Sequence, residues 1–478
     1  MDTIHEVVAR ALAVEPARLT DDTGYQSIAE WDSFAHVQLM LTLEDEFGLA
    51  MTNDLMLELD SVRAIKSCIE RKRANGSAGN APPQSTPCQH RAPAPAAIHR
   101  GLTGIHFDNS TITHIDGERG RLEYRGYDVN ALAEHATFEE AAWLLLYGEL
   151  PTRPQLSKFS DALGAARTLP TSVLNLLDIM KSAHPMDALR TAVSALGALA
   201  DDAATGDPAA AMRAGITLMA QVPTAIATHH AVRNGRTPCQ PHPDLPLAHD
   251  FLRMLIGGEP APELVRIIDQ DLIVHADHGS NASAFAARVA IGCGVGPYAA
   301  VTAALAAFAG PLHGGAVESA MRQLDKIDGP GSAASFVREL QHRNQPVMGF
   351  GHRVYRTEDP RVRHFRKTAR DMSERCGATR TFETLEALVE AMQPYARLGI
   401  GANVDLYAGL TYRLMGLPDD LATAIFAAGR MPGWIAQALE QQSNNILIRP
   451  LLNYVGAPRR LYPARSDIGA TPSGAKAT

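Results

Sequence analysis

Residues 74–98 read ANGSAGNAPPQSTPCQHRAPAPAAI, and no other stretch limits the architecture as much. Alanine, proline, glycine and serine dominate it, and no apolar periodicity runs through it. Clustered proline holds a chain extended and glycine loosens it, so this is linker composition. It divides the 478 residues into a unit of about 75 and one of about 380, and at least two cores must form.

Composition narrows the class. With 46% hydrophobic and 20% charged residues, the chain reads as globular and soluble. A net charge of -8 and a pI near 6.1 argue against a nucleic-acid surface as the main partner. The five cysteines are scattered, odd in number and without a C-x-x-C pair, which suits a reducing compartment and suggests no metal site. MDTIHEVVAR has no basic segment followed by an apolar core, so it is not read as a secretory signal, and a cytoplasmic location is expected. Val289–Leu312 is uncharged and long enough to span a bilayer. However, three glycines and a proline break its first half and alanine fills the second. A buried core helix from about Tyr298 to Phe308 is expected instead, with no membrane partner.

Both units read as helical. TIHEVVARAL places Ile4, Val7, Val8 and Leu12 on one face. SFAHVQLMLTLEDEFG does likewise with Phe34, Val37, Leu41 and Phe47, and Gly48 suits a C-terminal cap. SVRAIKSCIERKR supplies a third amphipathic segment. In the larger unit, FEEAAWLLLYGEL and DALRTAVSALGAL are typical runs. ITHIDGERGRLEYRG alternates polar and apolar residues around Gly117 and Gly120, which predicts a short strand-and-turn opening.

Asp32-Ser33 begins the second helix, where either side chain could simply cap it. The surrounding unit, with LTDDT, the acidic helix after the serine and EDEFGL, resembles an acyl carrier protein over nearly all its length. That resemblance implies 4'-phosphopantetheine on Ser33, attached by a phosphopantetheinyl transferase. Phe34 stands where the family usually has leucine.

Four stretches of the larger unit carry chemistry: HADHGSNASAFAARV with His278, GPLHGGA with His313, MGFGHRVYRTEDPR with His352, and ANVDLYAGL with Asp405. Glycines flank His313 and His352, which lets backbone approach a ligand and leaves the imidazoles unobstructed. Apolar neighbours bracket Asp405, and burial would raise its pKa and make it a better base. Arg353, Arg356 and Arg361 crowd His352; they form either a salt-bridged surface turn, for instance with Glu358 and Asp359, or an anion site.

From about Gly101 to Gly456 the chain is similar to citrate synthases. GPLHGG, GFGHRVY...DPR and NVD occur in the family's order, after an opening that fits the family's start. The resemblance implies condensation of acetyl-CoA with oxaloacetate and hydrolysis of citryl-CoA, with the CoA thioester as substrate. By resemblance Asp405 is the base, His313 donates to the thioester oxygen, and His352 polarises the oxaloacetate ketone. His278, Arg361, Arg430 and Arg449 would hold oxaloacetate, since planar guanidinium groups bind carboxylates through paired hydrogen bonds. Backbone from Val347 through Met348, Gly349, Phe350 and Gly351 would hold the adenine of CoA, and Arg356 a phosphate. In the family the last arginine comes from a neighbouring subunit, which implies a homodimer. Gly279 replaces a glutamate found beside this histidine in many members.

The expected fold is mostly α: a four-helix carrier-like bundle over 1–75, a linker over 76–99, and a two-domain helical synthase over 100–478 with a smaller subdomain at about 313–415. Propionyl-CoA, giving 2-methylcitrate, fits the same motifs. A synthase of specialised metabolism acting on an acyl group carried at Ser33, and a non-catalytic carrier or assembly subunit, are further alternatives.

Overall fold

Apolar residues at helical spacing need a partner surface, and in this protein they find it twice. The computed structural model describes residues 4–75 apart from 26, 29, 32, 50, 52–54 and 56–58, and residues 102–459 apart from 103–104, 201–206, 344, 353, 356–357 and 397–399. The side chains of 33, 34, 37, 38, 41 and 73–75 are also outside this description. The chain divides into two units, Met1–Ala97 and Ile98–Thr478, each with its own hydrophobic core.

In the first unit the helices Ile4–Ala11, Ser33–Phe47 and Val62–Asn75 pack together. Val7, Val8 and Leu12 are buried as their spacing predicts, with Ile4 against them. The second helix is described only in part. Its buried face is Leu39, Met40 and Leu43, with Phe47 beside it, whereas the side chains of Phe34, Val37 and Leu41 fall outside the described residues. Trp31 is fully buried just before this helix, and its Nε1–H donates to His36 Nδ1 at 3.0 Å. Only part of the segment between Phe47 and Val62 is described, so the expectation of a fourth helix falls outside the described residues.

The second unit opens with the hairpin expected at ITHIDGERGRLEYRG. Strands β1 (Thr113–Asp116) and β2 (Arg121–Tyr124) are antiparallel, with Asp116 opposite Arg121, and β3 (Tyr127–Asp128) adds to β2. Arg125 and Gly126, at φ 50° and 87°, make the two-residue turn between Tyr124 and Tyr127, where tight hairpins require positive φ. The left-handed arginine is held by its own guanidinium, which donates to the Leu145 carbonyl at 2.8 Å. Tyr124 is fully buried; its hydroxyl accepts the Asp277 N–H and lies 3.0 Å from the Asp277 carbonyl. The hairpin therefore supports the segment that ends at His278.

Helices make up the rest. Pro208–Arg233 (26 residues) and Ala422–Ser443 (22 residues) are buried along most of their length, as expected for the middle of a large core. They approach closely at Gly215, where a Cβ would lie 2.5 Å from Ile435. The helix anticipated near Tyr298–Phe308 spans Pro297–Phe308, with Ala300, Val301, Ala304, Leu305 and Phe308 forming its buried stripe. Among the described residues, no helix is long and apolar enough to cross a membrane.

Candidate active site

Both glycine-flanked histidines are held by backbone N–H groups, but at opposite ring nitrogens. His313 lies in the tight turn after the helix Pro297–Phe308, where a Cβ on Gly314 would press 2.5 Å from the Phe308 ring. Its Nε2 receives the Ser283 N–H at 3.3 Å, a proton shared with Asn281 Oδ1, and meets Ser283 Oγ at 2.8 Å. Asn281 Oδ1 also lies 3.2 Å from Nε2, but that oxygen already accepts from Ser283 and Ala284, and a backbone N–H can only donate; this favours the lone pair on Nε2 and the proton on Nδ1. Asn281 caps the helix Ala282–Gly292 and so sets the direction of Ser283. At His352 the arrangement is reversed: Nδ1 accepts the N–H groups of Val354 and Tyr355, both at 3.1 Å, leaving Nε2–H to donate.

Both rings are neutral at physiological pH. Burial pulls the pKa of each to about 4, assisted by Arg430 at His313 and by Arg361 at His352. His278 sits beside His352 with ring centroids 4.8 Å apart, and its Nε2 lies 3.0 Å from Tyr355 Oη. Burial first, then Arg361, His352 and Arg430, holds His278 well below the usual histidine range.

Two of the predicted arginines are buried at this site. Arg361 is 4% exposed and caps the helix Val362–Arg375. It pairs with Asp359 through two side-chain hydrogen bonds, Nε to Oδ1 at 2.9 Å and Nη2 to Oδ2 at 2.7 Å. The pairing with Asp359 considered from sequence therefore exists, but it lies in the interior rather than on the surface. Arg430 is 2% exposed, its Nε–H donates to the His275 carbonyl, and its guanidinium faces the Phe426 ring at 5.2 Å. Gly429 and Gly433 bring this helix against residues 272–277; Gly433 N–H donates to the Ala276 carbonyl at 3.0 Å. Burial lowers Arg430 to about 10, with Asp277 opposing the shift. Asp277 is fully buried and accepts from Thr113, the Gly279 N–H and Gln437.

Asp405 is the second residue of the helix Val404–Leu414, whose cap Asn403 accepts the Asp405 N–H at 3.2 Å. Burial drives its pKa up to about 7; Asp359 adds to the rise while Arg361 and Arg430 oppose it. The 347–351 loop is tied to the same corner. Gly351 N–H donates to the Gly401 carbonyl at 2.8 Å and Asn403 N–H to the Gly349 carbonyl at 3.0 Å. Gly349 adopts φ 83°, and a Cβ there would meet Leu406 at 2.9 Å.

Electrostatics and ring contacts thus bring His278, His313, His352, Arg361, Arg430 and Asp405 together. Arg449 is exposed on the irregular segment after the helix Ala422–Ser443, which also carries the exposed side chains Ile446, Leu447, Leu451, Leu452 and Tyr454. Arg356 lies outside the described residues. Sequence reasoning missed Ser283, Tyr355 and Asp277 as supports, and it named Asp359 only as a surface partner. Asn281-Ala282-Ser283 carries a cap signature, and Tyr355 and Asp359 stand within the His352 motif, but nothing local reveals which ring or guanidinium they hold.

Residues 101–451 match the family described as citrate synthase, C-terminal domain. The chain belongs to the citrate synthase family. It is accordingly an enzyme of the citrate-synthase type, transferring acyl groups. A citrate synthase of Synechocystis sp. is 37% identical over 358 residues, covering 74% of this chain and 90% of its own. A 2-methylcitrate synthase of Mycobacterium tuberculosis is 39% identical over 369 residues, covering 77% and 92%. Citrate synthase of Thermoplasma acidophilum, solved as a ternary complex with carboxymethyl coenzyme A and oxaloacetate, shares 30% identity at a TM-score of 0.75. That match covers 78% of this chain and 99% of the other.

Residues 2–69 match the family described as phosphopantetheine attachment site. The fold is compatible with such a group: Ser33 is the first residue of its helix, and the first turn carries no acidic residue. The helix dipole at that end favours a phosphodiester.

Proposed function

We propose that the larger unit condenses acetyl-CoA with oxaloacetate and hydrolyses citryl-CoA, releasing citrate and CoA. The observation that carries this reading is the pair of opposed histidine tautomers gathered with a half-buried carboxylate whose pKa is raised to about 7. Asp405 removes a proton from the acetyl methyl group. His313 Nδ1–H donates to the thioester oxygen as enolate charge develops. The enolate carbon attacks the oxaloacetate ketone, and His352 Nε2–H donates to the oxygen that becomes the alkoxide and then the hydroxyl. Water then cleaves the thioester and CoA leaves as the thiol. Neutral imidazoles suit these steps, because a hydrogen-bond donor near the pKa of the enol stabilises charge without first losing its own proton. A positioned acid or base of this kind contributes ~10²–10⁴-fold.

His278, Arg361 and Arg430 hold the oxaloacetate carboxylates. Arg449 serves the site of a second copy in a homodimer, a reading supported by its exposure on an irregular C-terminal segment rich in exposed apolar side chains. The backbone of 347–351 receives the adenine of CoA and Arg356 a phosphate. Residues 313–415 form a smaller subdomain whose closure excludes water. Propionyl-CoA is the second reading, favoured by the 2-methylcitrate synthase relatives at similar identity. Turnover of both thioesters by the purified chain, followed as thiol release, decides between them. Loss of thiol release with neither substrate restored by excess oxaloacetate would reject the reading altogether.

In the first unit Ser33 is the attachment point for 4'-phosphopantetheine, which supplies a thiol-ended arm able to carry an acyl thioester. The phosphopantetheine-attachment match supports this, and with it the use of a carried acyl group. A phosphopantetheinyl transferase and CoA should add the mass of one arm to the chain and nothing to Ser33→Ala. An unmodified chain, under conditions that load a control carrier, would reject the assignment.

A further inference from the structure

One buried carboxylate contacts both halves of the proposed chemistry. Asp359 is 2% exposed, and its Oδ1 accepts the Arg361 N–H at 3.1 Å and Nε–H at 2.9 Å. Its Oδ2 accepts Arg361 Nη2–H at 2.7 Å and, from a separate element, the Val404 N–H at 3.3 Å. Val404 begins the helix whose next residue is Asp405. First-turn N–H groups have no partner within their own helix. Here Asp359 takes that of Val404 and Asn403 takes that of Asp405. A carboxylate at a helix N-terminus is also favoured by the dipole. A residue serving only as counter-ion to Arg361 would need no bond to this helix.

We propose that Asp359 is a positioning residue joining the arginine that holds oxaloacetate to the helix that presents the base, so that occupancy at Arg361 is transmitted to the placement of Asp405. This rests on the roles given above to Arg361 and Asp405. A substrate carboxylate arriving at Arg361 shares the guanidinium with Asp359. Any movement of that guanidinium passes through a planar carboxylate to the N–H one residue from the base. Charge reinforces the linkage. Arg361 and Asp359 bear on Asp405 from the loop and Arg430 from the helix Ala422–Ser443, while Tyr412 interacts with it along its own helix. The helix Ala316–Leu324 meets the Asp405 helix through Val317 and Met321 at Gly409. Within this set Asp359 is the negative group that raises the basicity of Asp405.

Val404→Pro in the full chain removes the bond together with a core side chain only 1% exposed, and Val404→Ala, which keeps the N–H, is the packing control. Proline is tolerated at the first helical position, where the lost N–H has no intrahelical partner. Asn403 is already extended (φ -109°, ψ 172°), as a residue before proline prefers. Asp359 keeps Arg361, so calorimetric oxaloacetate affinity should stay near that of the unaltered chain while kcat falls about ten- to hundred-fold, the scale of a small misplacement of a catalytic group. Asp359→Asn should weaken oxaloacetate binding as well. It should also move the acid limb of the thioester kcat/KM profile to lower pH, because a negative neighbour of the base is gone. A folded Val404→Pro chain with unchanged kcat overturns the proposal. So does an unmoved acid limb in Asp359→Asn, a readout that needs only residual turnover. Activity surviving in Asp405→Asn would instead overturn the assignment of the base itself.

Discussion

The loops around His313 and His352 look alike in sequence, each a histidine beside glycines, yet they orient their rings in opposite senses. At His313 the fixed nitrogen is Nε2, held by Ser283 from a helix thirty residues earlier in the chain. At His352 it is Nδ1, held by the N–H groups of the two residues that follow closely in the same loop. One tautomer is thus set by a distant element and the other by local backbone. Equal burial leaves both rings neutral, so the difference lies in where the proton points rather than in charge.

Substitutions can break or sharpen this contrast. The largest effect is expected from His313→Ala and His352→Ala, each lowering kcat by ~10²–10⁴-fold, measured as thiol release. Near-normal rates in either would remove that ring from the chemistry. The amides discriminate next. An asparagine amide can stand in for a ring Nδ1–H and a glutamine amide for Nε2–H. His313→Asn should therefore outperform His313→Gln, and His352→Gln should outperform His352→Asn, by up to the ~10²-fold worth of one donor. The same preference at both sites would refute opposed tautomers.

Ser283→Ala probes the distant support. The backbone N–H remains, but Oγ, which also accepts from Trp434 at 3.0 Å, is lost. A stability loss of about 1–3 kcal/mol is expected, because a buried indole donor loses its partner. The kcat loss should be smaller than in the His313 variants, and oxaloacetate affinity unchanged; a full His313-type loss would mean that Oγ itself reacts.

The carboxylate separates from both rings in how stability depends on pH. Asp405 is raised from 3.8 to about 7, so the folded chain binds its proton more tightly than the unfolded chain. That contribution is present below pH ~4 and disappears as pH rises through about 7. Asp405→Asn should consequently be more stable than the unaltered chain at pH 8, by roughly 2–4 kcal/mol, with the gap closing toward pH 4. His313 and His352 act in the other direction: their lowered pKa values cost stability as pH falls from 6.5 toward 4. Melting curves at pH 8 and pH 5 measure both trends, and an unstabilised Asp405→Asn at pH 8 would show that the carboxylate is not strained by burial.

Much of this was legible without coordinates. Helices followed from apolar spacing, the hairpin from alternation around glycines, and the division of the chain from the composition of 74–98. His313, His352 and Asp405 were nameable because glycines or apolar neighbours surrounded them, and Arg361 because it closed a recognisable run. These are properties of neighbours in sequence, and backbone geometry and side-chain size express them locally. The tertiary structure alone decided which nitrogen of each imidazole carries its proton, that Arg361 is paired in the interior rather than on the surface, and that Asp359 reaches Val404. Each of these depends on groups brought together from distant parts of the chain, and burial then gives their hydrogen bonds and charges the strength to fix a tautomer or move a pKa.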